Sequence, residues 1–195
     1  MFDALLFWTF ILGTSAALIG RHLLTKSIQK NQRSIQSKKN TPWRWWCERV
    51  VQFIGFVFIA YALAGYAVPG TFSDYNPFKI LGVILFVWSV GIHLCGKYDL
   101  GANWTNAKDG PTVREGPITK HGLYRYSRNP MYAGTLGMVL GLELMTQNFF
   151  VLALWLIVFL YIRNVVASEE KLLRKEKGQE YIEYCKRVPR FFGFF

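Results

Sequence analysis

The residues best able to do chemistry fall in two clusters. The first is the run Arg125-Tyr126-Ser127-Arg128-Asn129-Pro130-Met131-Tyr132-Ala133-Gly134. The second opens with the acidic pair Glu169-Glu170 and continues through Gly178, Tyr181, Tyr184, Arg187 and Arg190. Between them lies an apolar stretch, 131–162, broken near Gln147-Asn148. It is long enough to enter a membrane and return. A hairpin of this kind brings the arginines and the two glutamates together on one side. Paired anions and cations at a membrane surface suit a zwitterionic, soluble cofactor acting on a lipid.

The elements around the clusters have to place them. Two antiparallel helices pack about 8–10 Å apart. The start of the first arm (Arg128, Asn129, Tyr132) therefore sits beside the end of the second (Arg163, Ser168, Glu169, Glu170). Pro130 fits the first helical turn, where its missing N–H costs nothing, and the free N–H groups of that turn could hold a carboxylate. Gly134 lets a neighbouring helix approach closely. Lys171–Lys177 reads as a charged helix that Gly178 can end. Tyr181, Tyr184 and Val188 then recur on one helical face with Arg187 adjacent, and Pro189 closes the pattern. Each set has a plain reading when taken alone. The glutamates could form a solvated face paired with Arg174, the arginines could be positive-inside anchors, and the tyrosines could be interfacial anchors. Their convergence on one membrane face favours a site.

Composition sets the class. Of 195 residues, 52% are hydrophobic and 17% aromatic, with 17 Gly and only 7 Pro. That is too apolar for a water-soluble domain and predicts an all-α, polytopic membrane protein of one domain. The net charge of +11 resides in loops between apolar segments. It therefore points to membrane topology and anionic headgroups, not to nucleic acid. Cys47, Cys95 and Cys185 are scattered and make no C-x-x-C, and the three His are scattered too, so no metal site is expected. The N-terminus carries Asp3 and no basic n-region, so 2–20 does not read as a cleavable signal peptide.

Five spans are predicted: 2–20, 50–68 closed by Pro69-Gly70, 80–96, 131–147 and 149–162, the last two forming the hairpin. Loop 21–49 is basic with Glu48 as its acid, loop 97–130 holds six Lys/Arg against three acids, and the tail 163–195 is again Lys/Arg-rich. These regions belong in the cytoplasm, and the N-terminus and loop 69–79 outside. Trp43, Trp45 and Trp46, beside Arg44 and Arg49, read as an interfacial belt. Glu143 falls inside the membrane near the hairpin tip and reads as a snorkelling or packing residue. His93 reads as helix packing or as a residue lining the site.

The order Gly122-x-Tyr124-Arg125-x-x-Arg128-Asn129-Pro130-x-Tyr132-x-Gly134, hairpin, Glu169-Glu170, Gly178-x-x-Tyr181-x-x-Tyr184-x-x-Arg187 resembles the isoprenylcysteine carboxyl methyltransferase and phospholipid methyltransferase superfamily. Upstream Leu100-Gly101-x-x-Trp104 is similar as well. The likeness covers roughly 97–190, and residues 1–96 match only in topology. It implies a five-helix membrane methyltransferase in which the cytoplasmic loop and C-terminal helix hold S-adenosylmethionine. The isoprenylcysteine enzymes usually read Arg-His-Pro where this chain has Arg128-Asn129-Pro130, and Asn-Pro-Met-Tyr is also similar to the phospholipid enzymes.

The resemblance carries cofactor contacts onto Arg128, Asn129, Pro130, Tyr132, Glu169 and Glu170. The glutamates suit the cofactor's ammonium, and Arg128 or the helix N-terminus suits its carboxylate. Tyr124, Tyr132, Tyr181 and Tyr184 offer an adenine wall. The leading acceptor is the carboxylate of a prenylated cysteine or a similar lipid acid, with Arg125, Arg187 and Arg190 as orienting cations. The alternative is N-methylation of an aminophospholipid, which needs a base. An NADPH-dependent sterol-type reductase and a non-enzymatic membrane protein are the readings from other classes. The expected partners are a lipid or lipidated substrate and the membrane itself, in a prokaryotic cytoplasmic membrane or the endoplasmic reticulum. Nothing in the sequence calls for an obligate protein partner.

Overall fold

The computed structural model describes residues 2–30, 56–64, 68–103 and 117–193. The described chain is helical: α1 (Phe2–Lys30), α2 (56–63), α3 (Asn76–Leu100), α4 (Pro130–Thr146) and α5 (Phe149–Arg187), with 3-10 turns at Gly101–Asn103 and Gly122–Arg125. No strand occurs among the described residues, where Thr71 and Asn148 form an isolated bridge. Trp43, Arg44, Trp45, Trp46, Cys47, Arg49 and Trp104 lie outside the described residues, as does much of the predicted span 50–68.

Of these helices, α1, α3 and α5 are long and apolar enough to cross a membrane. Their large side chains point outward: Trp88 is 70% exposed, Leu12 65% and Ile157 64%. Apolar surface on that scale is unfavourable in water and is at home in hydrocarbon. This is a membrane protein. At 17 residues, α4 reaches only about 26 Å, just short of the roughly 30 Å hydrocarbon layer. At 39 residues, α5 is about 58 Å long. Its apolar part, 149–162, covers only about 21 Å of that length, and from Arg163 onward the helix is rich in charged residues. The expected break at Gly178 is a kink in α5, with φ 53° and ψ −130°.

The helices pack through small residues. α1 runs alongside α3 in the same direction, Gly13 meeting Phe86 and Gly20 meeting Leu94. Lys97, fully buried, donates from Nζ to Arg21 O (2.9 Å) and Thr25 Oγ1 (2.6 Å). α4 is antiparallel to α3, and here backbone touches backbone. A Cβ on Gly134 would lie 2.8 Å from the His93 amide nitrogen, and one on Gly141 would lie 2.8 Å from Gly82 O. Without strong hydrophobic driving force in lipid, such close contact is what holds helices together. Leu6, Phe10, Phe86, Leu142 and Met145 form the core where α1, α3 and α4 meet.

A two-residue link joins α4 to α5. Gln147 takes the left-handed conformation (φ 46°, ψ 52°), and its N–H donates to Glu143 O at 2.6 Å. Its side chain accepts from Tyr75 N (3.1 Å) and donates to Tyr75 O (2.9 Å). Asn148 caps α5 by accepting from Phe150 N at 2.9 Å, and donates to Pro69 O at 3.0 Å. The link is thereby latched to the segment that precedes α3. Glu143 is buried at this end, 5% exposed, with Oε2 unpartnered among the described residues.

Candidate active site

At the opposite end of α4 the chain enters the helix through Ser127-Arg128-Asn129, with Pro130 at the first turn. Ser127 is fully buried. Its Oγ accepts from Asn129 N (3.1 Å) and donates to Arg190 O (3.1 Å), while Arg128 N donates to Pro189 O at 2.9 Å. The C-terminal segment after α5 is thus strapped across the start of α4.

Inside that strap sits Glu170, 3% exposed. Arg128 Nε and one of its terminal nitrogens reach Oε1 at 3.1 Å each. Arg190 forks onto both oxygens, at 3.2 Å to Oε1 and 2.7 Å to Oε2. Asn129 Nδ2 adds a longer contact to Oε1 at 3.4 Å. The other terminal nitrogen of Arg128 donates to Val188 O (2.7 Å) and Cys185 O (3.2 Å). Burial raises the pKa of Glu170, but the Arg190 hydrogen bond and the charges of Arg128 and Arg190 outweigh it and hold the carboxyl below its ordinary value. Arg190 is pushed up in turn, chiefly by its bond to Glu170.

The adjacent carboxylate is placed differently. Glu169 is partly buried and accepts from the Tyr132 hydroxyl at 2.8 Å. Burial raises its pKa, and the Tyr132 bond only partly offsets that. Neighbours in sequence, one carboxylate is neutralised by two cations and the other meets a neutral donor.

Aromatic groups flank the pair. Tyr181, Tyr184 and Val188 form a buried cluster with Ile118, Leu173 and Cys185. Tyr184 Oη donates to Tyr124 O at 2.7 Å. Tyr124 is 7% exposed, and burial, with Tyr184, Asp99 and Glu169 nearby, pushes its hydroxyl well above the ordinary range. The structure therefore gathers Tyr124, Arg128, Asn129, Pro130, Tyr132, Glu169, Glu170, Tyr181, Tyr184 and Arg190. Arg125 and Arg187 are exposed, and Arg187 Nε donates to Glu183 O on its own helix at 3.5 Å. His93 Nδ1 lies 3.1 Å from Met131 O, between α3 and α4.

Three further residues shape this region without standing out in the sequence. Ser127 fastens the strap, and Asp99 Oδ2 accepts from Leu123 N at 2.7 Å and so holds the turn that carries Tyr124. Lys97 ties α3 to α1. Gly122 sits against Asp99 with φ 56°, a left-handed conformation that glycine adopts readily.

Residues 78–180, more than half of the chain, match the phospholipid methyltransferase family. The chain belongs to that family. The match takes in α3, α4 and α5 to just short of Tyr181, and hence Arg128, Tyr132, Glu169 and Glu170. The chain is also similar to human protein-S-isoprenylcysteine O-methyltransferase, 25% identical over 116 residues, which is 57% of this chain and 39% of that one. Protein-S-isoprenylcysteine O-methyltransferase B of Arabidopsis thaliana is 30% identical over 73 residues, 37% of each chain. A probable protein-S-isoprenylcysteine O-methyltransferase of Oryza sativa subsp. indica is 35% identical over 72 residues, 36% of this chain and 38% of that one. The alignments thus span well under half the length of these relatives.

Proposed function

We propose that this protein transfers a methyl group from S-adenosylmethionine to a lipophilic or lipidated acceptor at the cytoplasmic face of the membrane. The observation that carries this reading is the contrast within the acidic pair. Glu170 is spent on Arg128 and Arg190. Glu169, beside it, is partly exposed and accepts from a tyrosine hydroxyl. A partly buried carboxylate with a neutral partner suits a cation, and Glu169 is the group for the cofactor's ammonium. The cofactor's carboxylate falls to the first turn of α4, where the helix end is positive. Arg128 and Arg190 are then positioning residues that hold Glu170 and the strap. Tyr124, Tyr181 and Tyr184 exclude water and offer apolar faces to adenine. Bound there, S-adenosylmethionine supplies a methyl group activated by its own sulfonium.

The names of the relatives support a prenylated cysteine carboxylate as acceptor. Such a carboxylate is ionised at pH 7 and needs orientation, not a base, and the exposed Arg125 and Arg187 flank the site for that purpose. One observation favours a second reading, N-methylation of an aminophospholipid. Glu169, its pKa raised by burial, is suited to accept a proton from an ammonium. The test is calorimetry with S-adenosylhomocysteine on detergent-solubilised protein, followed by labelled methyl transfer. Binding with a base-labile methyl ester on an S-prenylated cysteine supports the first reading. A methylamine on phosphatidylethanolamine supports the second, and binding of NADPH in place of S-adenosylhomocysteine overturns both.

A further inference from the structure

The helices that carry the site are short for a membrane. α3 bears charges at Lys79 and Lys97, and the apolar run between them, 80–96, is about 26 Å long. α4 lies alongside that run. A Cβ on Gly96 would lie 3.2 Å from Met131 N, and one on Gly82 would lie 2.8 Å from Met145 N. α4 therefore begins level with Gly96 and ends near Gly82, so both helices cover the same slab. The apolar part of α5, 149–162, is shorter still at about 21 Å, and Arg163 behind it is exposed. The ordinary hydrocarbon layer is roughly 30 Å thick. A helix that is too long can tilt to fit. One that is too short cannot, and the bilayer thins around it.

The turn end of this unit carries a patch of exposed rings. Phe72, Tyr75, Phe78, Phe149 and Phe150 are each between 49% and 61% exposed. They come from two segments, the one that leads into α3 and the first turn of α5. The latch at Gln147-Asn148 brings those segments together: Phe72 N donates to Gln147 O and Phe149 N to Gly70 O, each at 3.0 Å. The Phe72 and Phe149 rings then lie 4.6 Å apart, and those of Tyr75 and Phe78 5.1 Å apart. In the same segment the Asp74 side chain is 81% exposed and pairs with Lys79. An exposed carboxylate does not belong in hydrocarbon. Rings beside it therefore stand at the boundary between headgroups and hydrocarbon, where aromatic side chains collect.

We infer that the aromatic patch pins the turn end of the hairpin in one headgroup layer, and that the unit α3–α4–α5 is matched to a thin bilayer, with a hydrocarbon layer of about 26 Å or less. The partner of this surface is the membrane itself, and thickness is the property it reads. With the turn end pinned, α4 gives its other end no reach beyond the opposite boundary. Tyr132 and Glu169 then stand at the level of the headgroups, not above them. The inference goes beyond the proposed methyl transfer and does not depend on it.

The test is thermal unfolding of the full chain, one copy per nanodisc, in phosphatidylcholines of rising chain length: dimyristoleoyl, dipalmitoleoyl, dioleoyl and dierucoyl. Tm should peak in one of the first two and be lower in the dierucoyl lipid by at least about 2–4 °C. A peak in either of the longer lipids, or a flat series, overturns the inference. So does a preference that appears only with two copies per disc, which would assign the patch to a second copy. The readout needs neither cofactor nor turnover, so it can fail separately from the proposed reaction. Two variants test the pin. Tyr75→Ala keeps the backbone groups that Gln147 grips, and Phe149→Ser keeps the Asn148 cap. In each, the hairpin is free to slide, so the spread of Tm across the series should shrink. Phe149→Trp keeps an aromatic ring at the boundary and should retain the spread. A full spread in both Tyr75→Ala and Phe149→Ser, or its loss in Phe149→Trp, overturns the pinning.

Discussion

The two ends of α4 are both fastened by polar side chains, and the fastenings differ in kind. At the Gln147 end, amides meet backbone groups: Gln147 takes both the N–H and the C=O of Tyr75, and Asn148 takes Phe150 N and Pro69 O. At the Arg128 end, two guanidinium groups close on one buried carboxylate. A buried ion pair seldom gains net stability over a well-packed neutral arrangement. The amide latch shows that this fold can fasten a helix end without an ion pair. The charged end does something further. On the proposed function, it holds Glu169 at the rim, next to a positive helix terminus, so that a zwitterion is met by both signs of charge.

The contrast between the two ends is most exposed to test at Glu170. Glu170→Ala leaves Arg128, whose side chain is 10% exposed, without its counter-ion. Removing one partner of a buried pair costs about 3–5 kcal/mol. Thermal unfolding in detergent should show a large fall in Tm. A fall no greater than that of a surface variant would mean that the charged end is not a fastening at all.

Glu169→Gln should do the reverse. Its side chain is not part of the clamp, so Tm should change little. Binding of S-adenosylhomocysteine should weaken by about 10- to 150-fold, since a lost charge-assisted hydrogen bond is worth roughly 1.5–3 kcal/mol. Equal affinity in the variant and the parent protein would remove Glu169 from the site.

Asn148→Ala probes the other end. It removes the α5 cap and the bond to Pro69 O, an expected cost of about 1 kcal/mol. Calorimetric affinity for S-adenosylhomocysteine should stay where it was. A loss of affinity comparable with that of Glu169→Gln would show that the two ends are coupled through α4.

The sequence made some of this legible. The apolar run 131–162 is broken by two adjacent amides that can end one helix and cap the next, so the link at Gln147-Asn148 could be read directly. Pro130 marked a helix start and Gly178 a helix end, which the structure makes a kink within α5, for conformational reasons that do not depend on neighbours. The reach of the helices was less visible. α1 continues to Lys30 and α5 to Arg187 because Lys, Arg and Glu are good helix formers, whereas hydropathy registers only the part that suits lipid. The polar contacts around the site were hidden for a different reason. Ser127 with Arg190, Asp99 with Leu123 and Lys97 with Arg21 are polar contacts between distant segments. Periodicity carries no trace of them, and the arginine expected to face a ligand proved to face Glu170.

The smallest expected effect is in the proton. Both glutamates are shifted, in opposite directions. The folded pKa of Glu170 is lowered, so its contribution to stability is present above its ordinary value and is lost as pH falls through the folded value. The folded pKa of Glu169 is raised, so its contribution is fully present below the ordinary value and is lost as pH rises through the folded one. The latter effect is modest, because a partly exposed group is screened by solvent. A cationic ligand group on Glu169 reverses the preference at that carboxylate alone, because it binds the ionised form. Affinity for S-adenosylhomocysteine should therefore fall as pH drops through the raised value, in a range where Glu170 is still ionised and the clamp intact. A calorimetric pH series should show this acid limb, and Glu169→Gln should lack it while unfolding at the same acid pH as the parent. An acid limb that persists in Glu169→Gln would assign the titration to another group. The division of labour between the two neighbouring carboxylates would then fail.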